Sequence, residues 1–286
     1  MVSKSQYGEK EVNACKAVLL EIVHLLGEIK DEMVIIGGWI PTFLLTEAAD
    51  PHVGSLDIDV ALNFSKIPDD TYRTILKAFL KRGYTQDKKQ PFRFFRTVKI
   101  EGSDPTSVEV DLMAGEYGGT GKGRRTQKVQ DVRARKARGC DLAFDTSITV
   151  TLEGELPEGG KDKVSFKVAG IVPFLVMKGM AMYERVKEKD SYDIYYCVEH
   201  YPGGVEDLAA EFMPHIKNKL VVEGLEKIRS KFASVDYIGP KWVADFLEVA
   251  DREDRDIVMR RAYEKISELL DIFRISSWEK KYLNNI

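Results

Sequence analysis

An apolar run, Val34-Ile35-Ile36, ends on a double glycine, Gly37-Gly38-Trp39. Fewer than twenty residues later, Leu56-Asp57-Ile58-Asp59-Val60 alternates acid with aliphatic. Successive side chains of a strand point to opposite faces, so Asp57 and Asp59 share one face while Leu56, Ile58 and Val60 share the other. A chain with this pattern needs a sheet buried on its apolar side and must manage two like charges on the opposite side. A divalent cation carrying nucleotide phosphates relieves that repulsion, because Mg²⁺ is usually held by one or two carboxylates together with substrate phosphates. The glycines contribute a bare backbone leading into a helix, whose first N–H groups can hold a phosphate. The pair of motifs therefore predicts a nucleotidyl-transfer site in which Gly37 and Gly38 meet the nucleotide and Asp57 and Asp59 bind metal.

A second alternating stretch, Ser107-Val108-Glu109-Val110-Asp111-Leu112-Met113, sets Glu109 and Asp111 on one face and Val108, Val110 and Leu112 on the other. Beside the first strand, Asp111 would complete a three-carboxylate cluster able to hold two metals ~3.5–4 Å apart. Strand register cannot be read from sequence, so a half-exposed strand with ordinary surface acids is the competing interpretation.

Hydrophobic periodicity organises the rest. It predicts a helix over 9–29, a strand over 33–36, a short helix from Gly38 to about Glu47 and a strand over 56–62. A helix over 69–82 ends at Gly83, and strands follow near 92–100 and 107–113. Strands at 147–153 and 163–169 flank a Pro157–Gly160 turn. Helices then fill 172–189, 191–200, 205–232, 239–250 and 254–274. The expected fold is α+β, with a mixed-sheet core over 1–170 and a helical domain over 171–286. Between them, 115–139 is first glycine-rich and then basic, with eight cations between Lys122 and Arg138 and Asp131 as the lone acid. On priors that segment is solvated surface, but its charge also suits a phosphate-rich partner such as RNA.

The 286 residues carry 44% hydrophobic and 31% charged side chains with a net charge of −3, which gives no global attraction to nucleic acid. No apolar run approaches the ~18 residues of a membrane helix, and no signal-peptide core is present. Cys15, Cys140 and Cys197 are scattered without metal-type spacing, which suits a reducing cytoplasm. Gly118-Gly119-Thr120-Gly121-Lys122-Gly123 imitates a phosphate-binding loop, but Glu116 stands where the leading glycine is needed and Gly123 where Ser or Thr should follow the lysine.

Lys178 lies within the apolar Ile171–Met182 stretch, where an ammonium is costly to bury alone. On one continuous helix, Lys178, Met182, Arg185 and Lys189 form a stripe that could present cations to a triphosphate. Lys187 and Glu188 read as a solvated helix end. Asp190 and Asp193 follow at once, and helix capping is an ordinary role for one of them.

Taken together, Gly37-Gly38, Ser55-x-Asp57-x-Asp59, Glu109-Val110-Asp111, Lys178 and Arg185-x-Lys187-x-Lys189-Asp190-x-x-Asp193 resemble the AbiEii-type nucleotidyltransferases of the DNA polymerase β-like superfamily. The resemblance spans about residues 30–200. Members include toxins of type IV toxin–antitoxin and phage-defence systems, and some add nucleotides to tRNA acceptor ends. The resemblance implies that Asp57, Asp59 and Asp111 are the acidic, metal-binding positions. It further implies that Ser55, Lys178 and Arg185 meet the nucleotide, and that Asp190 supports the lysine or acts in catalysis. Members often carry a basic residue shortly before the acidic strand, where this chain has His52-Val53-Gly54. The implied activity is Mg²⁺- or Mn²⁺-dependent transfer from a nucleoside triphosphate to an acceptor such as RNA, with a cognate antitoxin as a possible partner. Adenylylation of a small molecule or a protein, and a catalytically silent binding protein, are the alternatives.

Overall fold

The computed structural model describes residues 2–63, 66–67, 69–99, 104–114, 126–129 and 132–283. The chain is α+β. Its helices are α1 (Glu9–Leu25), α2 (Ile40–Leu44), α3 (Asp69–Lys81), α4 (Cys140–Asp145), α5 (Ile171–Glu184), α6 (Glu188–His200), α7 (Gly204–Phe212), α8 (Lys219–Lys231), α9 (Ile238–Phe246) and α10 (Arg252–Leu283). Its strands are β1 (Met33–Ile36), β2 (Asp57–Leu62), β3 (Thr85–Gln86), β4 (Arg93–Val98), β5 (Thr106–Ala114), β6 (Thr126–Val129), β7 (Val132–Lys136), β8 (Ser147–Glu155) and β9 (Lys161–Ala169).

Two compact units partition these elements. One comprises Tyr7–Phe43 and Val53–Phe174; the other comprises Met1–Gln6, Leu44–His52 and Leu175–Ile286. The division thus falls after Phe174, within α5, rather than at the 170/171 boundary read from the sequence, and it groups 44–52 with the helical part.

The first unit is a mixed sheet ordered β3-β4-β5-β2-β1-β9-β8, with β7 also paired to β5 and to β6. β2 is central, antiparallel to β1 and parallel to β5. Alternation along both strands drives this placement. Ile58, Val60, Val110 and Leu112 are essentially inaccessible, while the acids between them occupy the other face. On α1, Cys15, Val18, Leu19 and Ile22 recur at helical spacing and are fully buried. Glu21 is buried beside them. Burial alone would raise its carboxyl, but Arg96 and Arg82, each with Nε at 2.9 Å, outweigh that and hold it below its ordinary value. This anchors α1 to β4 and to the end of α3.

The basic 115–139 segment supplies β6 and β7, a hairpin whose second strand runs parallel to the end of β5 at Met113 and Ala114. Residues 115–125 lie outside the described residues. The periodicity reading also missed α4, whose six residues are too few to show a helical repeat.

In the helical unit, the single helix expected over 205–232 is two. Pro214 sits in a 3₁₀ turn, Met213–His215, and α8 restarts with the Asn218 side chain accepting from the Leu220 N–H. α5 and α8 meet at Gly179 and Gly224. A methyl group on Gly179 would lie 2.6 Å from the Gly224 carbonyl oxygen, and one on Gly224 would lie 2.9 Å from the Val176 Cα. Alanine ordinarily favours a helix over glycine by up to ~1 kcal/mol. Here the obstacle is backbone, which cannot yield as a side chain would, so Gly179→Ala is expected to destabilise by about 1–3 kcal/mol. Urea unfolding of the two proteins checks the sign.

Candidate active site

The acidic face of the sheet unit starts from β1. The strand ends at Ile36, and Gly37 takes φ +80°, a conformation open to glycine and strained for other residues. A methyl group there would also overlap the Asp59 carboxylate, so position 37 excludes a side chain on two counts. The chain after Gly37 departs from the helix expected up to Glu47. A 3₁₀ turn, Gly37–Trp39, leads into the five-residue α2. So short an element has little macrodipole, and Gly37 serves chiefly to bring bare backbone against Asp59.

The register between β2 and β5 pairs Asp57 with Glu109 and Asp59 with Asp111. Four carboxylates therefore share one face of two parallel neighbours. The Ser55 hydroxyl donates to Asp57 Oδ1 at 2.5 Å. Asp57 and Asp59 are half-buried, whereas Asp111 is buried. One cation from β4 meets this face. Arg93 Nε and Nη2 each donate to Asp111 at 2.8 Å, and Nη2 stands 2.7 Å from Glu109 Oε1. The hydrogen bonds to Asp111 hold the guanidinium more firmly protonated than usual, against the smaller opposing effect of burial. Arg93 was not singled out in the sequence, although it alternates with the buried Phe92 and Phe94 and so had to share a face with the acids of the neighbouring strand.

The donor set is entirely hard oxygen, suited to Mg²⁺ or Mn²⁺. Asp57 and Asp59 fit a cation that takes its remaining ligands from phosphate and water. The closed three-carboxylate cluster expected from the sequence is not assembled. Asp111 is engaged by Arg93, and among the described residues no three carboxylate, imidazole or thiol groups converge in a way that could hold a metal ion.

In the helical unit, the expected cationic stripe is broken. α5 stops at Glu184, Lys187 caps α6, and Lys189 lies on α6. The break folds the motif back on itself. Lys178 Nζ lies 2.8 Å from Asp190 Oδ1 and 2.7 Å from Asp193 Oδ2, the second an ion pair outside hydrogen-bonding geometry. Arg185 donates to Asp190 through Nε at 2.9 Å and Nη2 at 3.1 Å, and Lys189 donates to Asp193 Oδ1 at 2.8 Å. Both aspartate side chains are fully inaccessible and that of Lys178 is 9% exposed. Burial pulls the Lys178 ammonium down, but Asp190 and Asp193 more than compensate and its affinity for a proton rises. Burial likewise opposes ionisation of Asp190 and Asp193. The charges of Lys178 with Arg185, and of Lys178 with Lys189, nevertheless hold them below the ordinary carboxylate value. On Lys189 burial prevails, and its ammonium is lowered.

His52 completes this network. Its side chain is fully buried, and Nε2 stands 3.0 Å from Asp193 Oδ1. A carboxylate only accepts, so Nε2 carries the hydrogen. The ring stacks on Tyr192 and meets Tyr196 edge-on, and the Tyr196 hydroxyl donates to the Asp50 carbonyl at 2.7 Å. Burial first, and the Lys189 charge second, lower the imidazole to about 4. The sequence marked His52 only as a departure from a family pattern; its partner lies 141 residues away.

No protein-family model matches the sequence, and no curated protein matches it. Among solved structures, the chain is similar to an antigenic nucleotidyltransferase-like protein from Paracoccidioides brasiliensis. The TM-score is 0.43 at 13% identity, covering 86% of this chain and 92% of that one. A likeness at this level identifies neither activity nor substrate.

Two outcomes test the buried network. Methionine at position 178 suits the apolar surroundings by shape, but Lys178→Met strips the shared cation from two buried carboxylates. A loss of about 3–5 kcal/mol is expected in denaturant unfolding, with partial recovery in Lys178→Met/Asp193→Asn. The second outcome concerns pH. The folded His52 takes up a proton near 4 and an exposed histidine near 6.5, so between these values the unfolded chain binds more protons. Stability contributed by neutral His52 is complete above about 6.5 and is lost progressively toward 4. That contribution amounts to roughly 3 kcal/mol. His52→Gln, which keeps a donor without a titrating ring, should flatten the unfolding free energy over this interval.

Proposed function

We propose that the protein transfers a nucleoside monophosphate from a nucleoside triphosphate to an acceptor hydroxyl on RNA, tRNA included. The observation that carries this reading is the half-buried pair Asp57 and Asp59 on one face of the central strand, with the side-chain-free Gly37 backbone packed on Asp59. The acceptor oxygen forms a bond to the α-phosphorus as the α–β phosphoanhydride bond breaks, pyrophosphate leaves, and the hydroxyl proton passes to solvent. Asp57 and Asp59 would hold a Mg²⁺ or Mn²⁺ ion, which would supply charge neutralisation for the triphosphate. Ser55 fixes the rotamer of Asp57 through its hydroxyl. Asp111, restrained by Arg93, is the third acidic position, and Arg93 keeps the acidic face from repelling an incoming triphosphate. The family resemblance gives Lys178 and Arg185 the role of phosphate-binding cations, and within the helical unit Asp190 sets the geometry of both. Positioning and electrostatics do most of the work, as phosphoryl transfer demands little covalent help.

The AbiEii resemblance extends this reading to a toxin or defence protein of the cytoplasm with a cognate antitoxin. Its localisation is in keeping with three buried, unpaired cysteines. Among the described residues, no helix is long and apolar enough to cross a membrane.

Incubation of the purified chain with each α-labelled triphosphate, total RNA, cell protein and small-molecule acceptors tests the reading. Label is expected in RNA, to be abolished by EDTA and restored by Mg²⁺ or Mn²⁺. Asp57→Asn should lower the rate by about 10²–10³ with an unchanged melting temperature. Undiminished transfer in excess EDTA would remove the metal-assisted mechanism, and label in the protein or small-molecule fraction would change the acceptor.

A further inference from the structure

Tyr183 occupies the last turn of α5 and, at 55% exposed, is the one large apolar side chain that this helix leaves in solvent. Its surroundings derive from the glycine crossing. Because Gly179 and Gly224 let α5 and α8 approach closely, residues further along each helix are brought together: Tyr183, four on from Gly179, and Lys227 and Lys231, three and seven on from Gly224. Both ammonium groups stand 5.1 Å from the Tyr183 ring centroid. Lys231 also lies 5.9 Å from the ring of Trp242 on α9, joining two aromatic residues through one cation. Tyr237, which caps α9, is 47% exposed. Lys227 is partly neutralised by Glu223 at 3.0 Å, whereas among the described residues no carboxylate stands within ion-pair distance of Lys231.

An exposed tyrosine held beside two lysines serves no core. The exposed part of its ring can stack on an unpaired base, and Lys231 can turn to the adjoining phosphate, while Lys227, 15% exposed and paired with Glu223, braces the ring. That combination is how single strands are bound without sequence preference. Protein interfaces are, by contrast, depleted of lysine. We infer that Tyr183, Lys227 and Lys231 form a stacking platform for single-stranded RNA. This deepens the RNA-acceptor reading and rests on it for the identity of the strand, while the surface itself lies wholly on the helical unit.

Fluorescence anisotropy of the full-length protein with a labelled, unstructured RNA of about 12 nucleotides, in the absence of triphosphate, reads the platform directly. Tyr183→Leu is expected to weaken binding about tenfold, and Tyr183→Phe, which keeps the ring, to bind like the wild type. Lys231→Gln should reduce the slope of log affinity against log salt by about 0.7 between roughly 50 and 200 mM. A matching RNA duplex should bind less tightly, since its base faces are already stacked. Unchanged affinity in Tyr183→Leu, or equal binding of duplex and single strand, would overturn the platform. So would loss of transfer to a protein acceptor in Tyr183→Leu with RNA binding intact. Asp57→Asn separates the two readings, because it should lose transfer while binding RNA normally. A wild type that transfers no nucleotide yet shows the Tyr183 dependence would leave the platform standing without the activity, and transfer to RNA with no Tyr183 dependence would do the reverse.

Discussion

The register of β2 against β5 is the constraint on which the acidic face depends. Side chains alternate along a strand, so a slip of one residue would send Asp57 and Asp59 into the apolar layer and bring Ile58 and Val60 out. The burial of Ile58, Val60, Val110 and Leu112 therefore fixes the position of the acids more firmly than any contact the acids make themselves. A hydrophobic requirement on one side of the sheet holds an electrostatic arrangement on the other.

The two units handle charge in opposite ways. On the sheet, Asp57 and Asp59 stay partly hydrated, so their mutual repulsion is moderated and a ligand can still reach them. In the helical unit, Asp190 and Asp193 are wholly removed from water and are tolerable only because lysine and arginine groups surround them. A hydrated pair is suited to accept a partner from outside. A dry, saturated one is suited to hold Lys178 and Arg185 in a single geometry.

Much of this was legible in the sequence where a pattern is local. The period of two along 56–62 and 107–113 placed both strands and their faces, and Gly83 stopped α3 where expected. Short elements escaped. β3 has two residues and α4 has six, so neither repeats often enough to declare its period. Composition misled at 172–189. Apolar residues followed by charges looked like one helix with a solvated end, whereas the break after Glu184 turns Lys189 and Asp193 inward. The cost of burying Lys178 correctly demanded a partner, but it was the family resemblance that named Asp190. Arg93 and His52 were not named, because their roles depend on strand pairing and on a contact across 141 residues. Local periodicity says which way a side chain faces but not what it will meet.

The helical unit draws on three separate stretches of chain, since Leu44–His52 is embedded between residues of the sheet unit. That strip carries the Asp50 carbonyl taken by Tyr196 and the imidazole taken by Asp193. A single crossover or cut near Phe174 would divide the sequence tidily while leaving the helices without a piece of their own interior. Shuffling this half into another gene would therefore need three coordinated exchanges, so the two units should be inherited together and change in step.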